Sequence, residues 1–96
     1  MPNLDRVLDV QKCCGEKPTR IPEADIVWRL PGGRCVSIVG IHQGPYCMDQ
    51  CVEDIETHER FDIAWLTFWW ATKDDMVTEV PAMEVLARAA RGIDYV

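Results

Sequence analysis

Two β-type runs flanking Pro31-Gly32-Gly33 constrain this chain more than any other feature. Asp25–Leu30 alternates, with Ile26, Trp28 and Leu30 on one face, and Arg34–Ile41 is rich in β-branched residues. Proline presets φ at the first turn position and glycine accepts positive φ, so this segment predicts a β-hairpin. The flanking sequence predicts helices. Asn3 can cap a first one carrying Leu4, Val7, Leu8 and Gln11 on one face, with Gly15 as its stop. Glu16–Glu23 contains Pro18 and Pro22 and reads as a loop, because each proline removes a donor and restrains its predecessor.

Gly44-Pro45 predicts a second helix running to about His58–Arg60, with proline where a missing N–H costs nothing. Its wheel has three stripes at helical spacing. Met48, Val52 and Ile55, with Cys51 beside them, form the expected core stripe, and Asp49, Glu53, Glu56 and Arg60 the opposite, solvated one. Cys47, Cys51, Asp54 and His58 line one flank. Phe61–Thr72 shows no polar face in either period. Aromatic enrichment and short length favour a strand there, with a buried helix starting at Asp62 as the rival. Lys73-Asp74-Asp75 would turn that strand into Met76–Val80 as a second hairpin. Pro81–Arg91 reads as a last helix, with Met83, Leu86, Ala87 and Ala90 on its apolar face and a Glu84–Arg88 pair on the other. Gly92 would stop it, leaving Ile93–Val96 as a tail able to extend the sheet edge. The expected fold is α+β: a single domain over residues 1–96, with a small antiparallel sheet of two hairpins and two or three helices packed mainly on one face.

Composition narrows the function classes. With 96 residues and 48% hydrophobic content, the chain has room for one modest core and is too apolar for disorder. Its longest apolar run, Ile63–Ala71, is about half a membrane span. Asp5, Arg6 and Asp9 stand where a secretory signal would be apolar. The five cysteines are odd in number and two are adjacent, Cys13 and Cys14, which suits reduced thiols. The expectation is a cytoplasmic protein without a membrane partner.

The net charge of −6 is uneven. Residues 49–84 hold Asp49, Glu53, Asp54, Glu56, Glu59, Asp62, Asp74, Asp75, Glu79 and Glu84 against only Arg60 and Lys73. Such a segment repels nucleic acid and favours basic surfaces. Among the candidates for chemistry, the flank Cys47, Cys51, Asp54 and His58 is the sharpest, since thiolate and imidazole suit zinc. One helix cannot place all four around one ion, so a site would need Cys47 and Cys51, or Asp54 and His58, plus ligands from Cys13, Cys14 or Cys35. Cysteine also packs as a small hydrophobe, and that reading takes precedence. Catalysis is not expected. The acids around Cys47 would raise its thiol pKa, no Gly-rich phosphate loop is present, and Ser37 is the only serine.

Trp28, Trp65, Trp69 and Trp70 exceed what one small sheet must bury. On a strand, Trp69 and Trp70 would face opposite sides, leaving one for a partner. The expected function is therefore a non-enzymatic protein-binding module that needs no cofactor. Its expected contact residues are Asp49, Glu53, Glu56, Glu59 and Asp62 with Trp69 and Trp70. Carboxylates spaced along a helix can occupy phosphate sites on a basic, nucleic-acid-handling protein. In general character this resembles the small acidic proteins of phages and mobile elements that inhibit host machinery, CRISPR inhibitors among them. Homodimerisation through the aromatic segment is a related expectation. The alternative is a small zinc- or redox-linked domain using Cys47, Cys51 and His58 with an N-terminal cysteine.

Overall fold

The computed structural model describes residues 8, 10–13, 17–44 and 47–94. Its strands are Gln11–Lys12 (β1), Val27–Arg29 (β2), Cys35–Gln43 (β3), Met48–Asp54 (β4), Arg60–Ala64 (β5) and Thr78–Glu79 (β6). They form one antiparallel sheet in the order β1-β5-β4-β3-β2-β6. Trp65–Lys73 (α1) lies between β5 and β6, and Ala82–Asp94 (α2) follows β6. The expected α+β class holds. Most of the expected first helix, including Asn3, Leu4, Val7 and Gly15, lies outside the described residues. Within it, Leu8 is helical and buried, whereas Gln11 belongs to β1.

The first hairpin forms as its turn chemistry requires. The Gly33 N–H donates to the Leu30 carbonyl at 3.0 Å, with Pro31 and Gly32 at the central positions and φ of +98° at Gly32. Proline followed by a positive-φ glycine is a type II turn. Val27, Trp28 and Arg29 then pair with Ser37, Val36 and Cys35. Further along β3 the register to β4 shifts between Ile38 and Gly40. The shift is a bulge, and it exchanges the faces on which later β3 residues stand.

The second predicted helix does not exist. Residues 48–54 are β4, paired on both sides, and the chain reverses into β5 through the turn after Asp54. Asp54 organises that turn: its Oδ1 accepts the N–H groups of Glu56 at 2.8 Å and Thr57 at 3.0 Å, and its Oδ2 accepts from Arg34 Nε at 2.9 Å. A short acidic side chain closing on backbone N–H groups two and three residues ahead competes directly with helix. His58 adopts φ of +64° to complete the reversal. Because β4 is covered on both faces, it lacks the alternation that marks a strand. Its acids fall by coincidence at helical spacing.

Phe61–Thr72 is divided between the two states weighed for it. Arg60–Ala64 is strand β5, and the aromatic run Trp65–Lys73 is helix α1. The second predicted hairpin is therefore absent, and β6 pairs instead with β2, through Trp28–Glu79 and Arg29–Thr78. Cross-strand partners share a face. Trp28, Val36, Ile38, Val52, Phe61 and Ile63 consequently form one face, and α1 covers it with Phe68 and Ala71. Trp28, Phe68 and Trp69 meet edge to face with centroids 5.3–5.7 Å apart. Such pairs add about 0.5–1.5 kcal/mol each beyond area burial.

Helix α2 lies on the opposite face, where Val85 packs with Val27, Cys35 and Val80. Helices thus cover both faces, not mainly one. The rotation of α2 also differs from the apolar-face expectation. Met83 and Leu86 are 81% and 70% exposed, and Ala87 and Ala90 are exposed too. The charged side turns inward instead: Arg88 donates to Glu84 at 2.9 Å and to Glu56 at 2.8 Å, while Arg29 pairs with Glu84. Gly92 does not stop α2, which continues to Asp94, so residues 93 and 94 add no strand.

Candidate functional site

The loss of the second helix redistributes the acidic residues. Asp49 is 4% exposed and accepts from Gln11 Nε2 at 2.7 Å, and Asp62 is 1% exposed with an oxygen 2.9 Å from His42 Nε2. Burial, together with the Asp62 charge, pushes the Asp49 carboxyl above its ordinary range, against the opposing pull of Gln11 and His42. Glu53 is half-buried and accepts from Arg60 Nε at 2.8 Å, with His58 Nδ1 at 3.3 Å. Burial alone would raise its pKa, but Arg60 and His58 outweigh it and hold the group low. Glu56 pairs with Arg88, and exposed Glu59 lies 3.2 Å from Arg34 Nη2. No solvated carboxylate stripe joins these five residues. Two are buried, and three are engaged by cations.

The free negative charge lies elsewhere. Among the described residues, Asp74, Asp75 and Glu79 are exposed carboxylates outside every ion pair. Asp74 caps α1 through its N–H to the Trp70 carbonyl, and Asp75 follows with φ of +56°. Glu79 stands opposite Trp28, on the face that α1 covers. Asp74 and Asp75 therefore stand at the C-terminal end of α1, with Lys73 as the cation beside them.

The outer side of α1 is apolar. Phe68 and Ala71 face the sheet, so Leu66 and Trp70, one helical turn apart, must face out. They are 54% and 70% exposed, Trp65 is 43% exposed, and Leu66, Thr67 and Trp70 line a shallow groove of about 360 Å³. Of the two expected contact tryptophans, Trp70 is the exposed one and Trp69 is half-buried against Trp28 and Phe68. Beneath α1, the Nε1 atoms of Trp28 and Trp69 and both polar ends of fully buried Gln50 lack hydrogen-bond partners. The apolar outer face of α1 is also why Phe61–Thr72 shows no polar period in the sequence.

The cysteine flank is dispersed as well. Cys47 is half-buried in the loop before β4, Asp54 serves the turn, and His58 pairs with Glu53. Cys35 is buried, with its thiol 3.7 Å from the Gly33 carbonyl. Cys51 instead meets Cys13, with sulfur atoms 3.5 Å apart. Burial and the neighbouring Cys13 push the Cys51 thiol up to about 12. Cys13, His42 and Asp62 bring one ligand atom each within 4.8 Å of one another. Cys14 lies outside the described residues. The adjacency of His42 and Asp62 to Cys13 and Cys51 requires β4 to be a strand, which a helix over this segment does not allow. The available signal was the period-2 spacing of Gly40 with His42 and of Asp49 with Cys51.

No protein-family model, curated protein or solved structure matches this chain. Among the described residues, no helix is long and apolar enough to cross a membrane.

Proposed function

We propose that this chain is a non-enzymatic protein-binding module, a small acidic regulator or inhibitor whose contact surface is the outer face of α1. The observation that carries the reading is Trp70, 70% exposed on a helix whose neighbouring outward residues are Leu66 and Trp65. Tryptophan in an exposed apolar patch is the residue type most favoured at binding hot spots. Asp74 and Asp75 at one end of this patch specify the partner's chemistry: an apolar projection flanked by Lys or Arg. Proteins that handle nucleic acid present basic surfaces of this kind. The acidic rim would speed association and make it salt-sensitive, while the tryptophan would govern dissociation.

A photo-crosslinking residue placed at Leu66, with one at exposed Lys17 as control, tests this in extracts of cells that produce the protein. The expected result is a protein captured from position 66 and not from 17, through a peptide rich in Lys or Arg. Trp70→Ala should abolish capture, and the combined change of Asp74 and Asp75 to lysine should weaken it. Capture of a second copy alone would establish a homodimer instead. Equal capture from both positions, or capture indifferent to charge reversal, would refute the reading.

A further inference from the structure

On the sheet face opposite α1, three strands and the residue just beyond β1 cluster metal-ligating side chains. Cross-strand pairing sets Gln11 opposite Asp62, Asp62 opposite Cys51, and Cys51 opposite Gly40. Cys13 and His42 stand two residues beyond Gln11 and Gly40, so all four potential ligands share this face. Cys13 Sγ lies 3.5 Å from Cys51 Sγ, and His42 Nε2 lies 2.9 Å from Asp62 Oδ1. We propose that Cys13, His42, Cys51 and Asp62 form a buried site for one divalent transition-metal ion, with zinc the cation whose donor preference the set matches.

Cys13, His42 and Asp62 already bring one ligand atom each within 4.8 Å of one another, and Cys51 joins them through Cys13. A tetrahedron with zinc–sulfur bonds of about 2.3 Å and zinc–nitrogen or –oxygen bonds of about 2.0 Å has ligand–ligand edges of roughly 3.3–3.8 Å. The sulfur pair already has this spacing, the His42–Asp62 contact needs to open by a few tenths of an ångström, and the Cys51 sulfur must turn toward that pair. Two thiolates, one imidazole and one carboxylate are a borderline-soft set, which disfavours magnesium and calcium. Loading replaces the Nε2–H hydrogen bond from His42 to Asp62 with two coordinate bonds, the ring proton passing to Nδ1. It also releases one proton from each thiol to solvent, leaving a divalent cation with two thiolates and Asp62 at a net charge of −1.

The surroundings are built for a closed site. His42, Cys51 and Asp62 are 6%, 0% and 1% exposed. The Thr19 backbone lies so tightly over Gly40 that an added Cβ would stand 2.5 Å from the Thr19 carbonyl oxygen. Half-buried Cys13 leaves one approach for the ion. With four protein ligands and no open position, the site is structural. Its effect is to fasten the two-residue edge strand β1 to β4 and β5, independently of the α1 surface.

The test uses the full-length chain, reduced and stripped with a chelator, then titrated with Co²⁺ as a spectroscopic stand-in for zinc. The expected result is one Co²⁺ per chain, with thiolate-to-metal charge-transfer absorption that zinc abolishes by displacement. Cys35→Ser and Cys47→Ser should leave the spectrum unchanged. Cys13→Ser should remove one thiolate's share of the absorption, and both it and Asp62→Asn should weaken binding at least about tenfold. Cys13 is half-buried, so its variant remains informative even if Cys51→Ser fails to fold. Absence of a stoichiometric charge-transfer band overturns the proposal, as does a band whose intensity Cys13→Ser leaves undiminished. So does protein lighter by two hydrogens, with Cys13 linked to Cys51, that takes up no metal after reduction.

Discussion

Replacing Asp54 probes the element that turned a predicted helix into a strand. Its side chain is 7% exposed and accepts from Arg34 Nε, the Glu56 N–H and the Thr57 N–H at 2.9, 2.8 and 3.0 Å. Hydrogen bonds to charged groups contribute about 1.5–3 kcal/mol each. Arg34 is one-third exposed and Thr57 is exposed, so water recovers part of what is lost. Asp54→Ala should therefore destabilise by about 2–4 kcal/mol, and Asp54→Asn, which keeps an oxygen for the turn, by about 1–2 kcal/mol. Against a total stability of roughly 5–15 kcal/mol, both are measurable by urea unfolding followed through tryptophan fluorescence. The Asn variant also has a pH signature. Burial alone would raise the Asp54 pKa, but Arg34 and the two N–H groups outweigh it and hold the carboxyl below its ordinary value. A depressed folded pKa contributes stability above the unfolded value of about 3.9, and that stability is lost as pH falls through the folded value. The wild-type advantage over Asn should be full near neutrality and close progressively below about pH 4. An advantage unchanged at acid pH, or absent at neutral pH, refutes the assignment of Asp54 as an ionised turn anchor.

Other parts of the fold give separate tests. Phe68→Ala should cost about 3–5 kcal/mol in the same unfolding assay, because Phe68 is fully buried between Trp28 and Trp69. Gly40→Ala should cost about 1–3 kcal/mol and speed hydrogen exchange at the Thr19 and Ile41 amides, since the new methyl displaces the Thr19 backbone from its pairing with Ile41. Gln50→Leu should be neutral or stabilise by about 1–3 kcal/mol, since it removes buried polar atoms that lack partners. Met83→Lys with Leu86→Lys should change stability by less than about 0.5 kcal/mol per site if α2 presents these residues to solvent. A loss of several kcal/mol would restore the opposite rotation of α2.

The charge pattern illustrates how local reading can mislead. Asp49, Glu53, Glu56 and Arg60 recur at helical spacing, yet one is buried beside Gln11 and the others join ion pairs spread over a strand, a turn and a second strand. Period analysis assumes that acids mark solvent. It fails where each acid has a cation or an N–H group brought to it by another segment. The tryptophans depend on quantity and not on period. Four large rings exceed one small core whatever the secondary structure, and Trp70 remains exposed.

What the sequence determined alone was therefore local: the type II turn at Pro31-Gly32, the hairpin of β2 and β3, a helix after Pro81, and the α+β class. Each depends on backbone preferences of a few adjacent residues. Tertiary structure decided the rest. It made β4 a strand because neighbours on both sides satisfy its N–H and C=O groups, and it split the aromatic run where the chain leaves β5 to cover the sheet. It also rotated α2 so that Arg88 reaches Glu56, and brought Cys13 to Cys51 and His42 to Asp62. Those contacts join residues 20 to 38 positions apart. No short-range periodicity encodes them, because strand order and register are set by which faces the whole chain can bury.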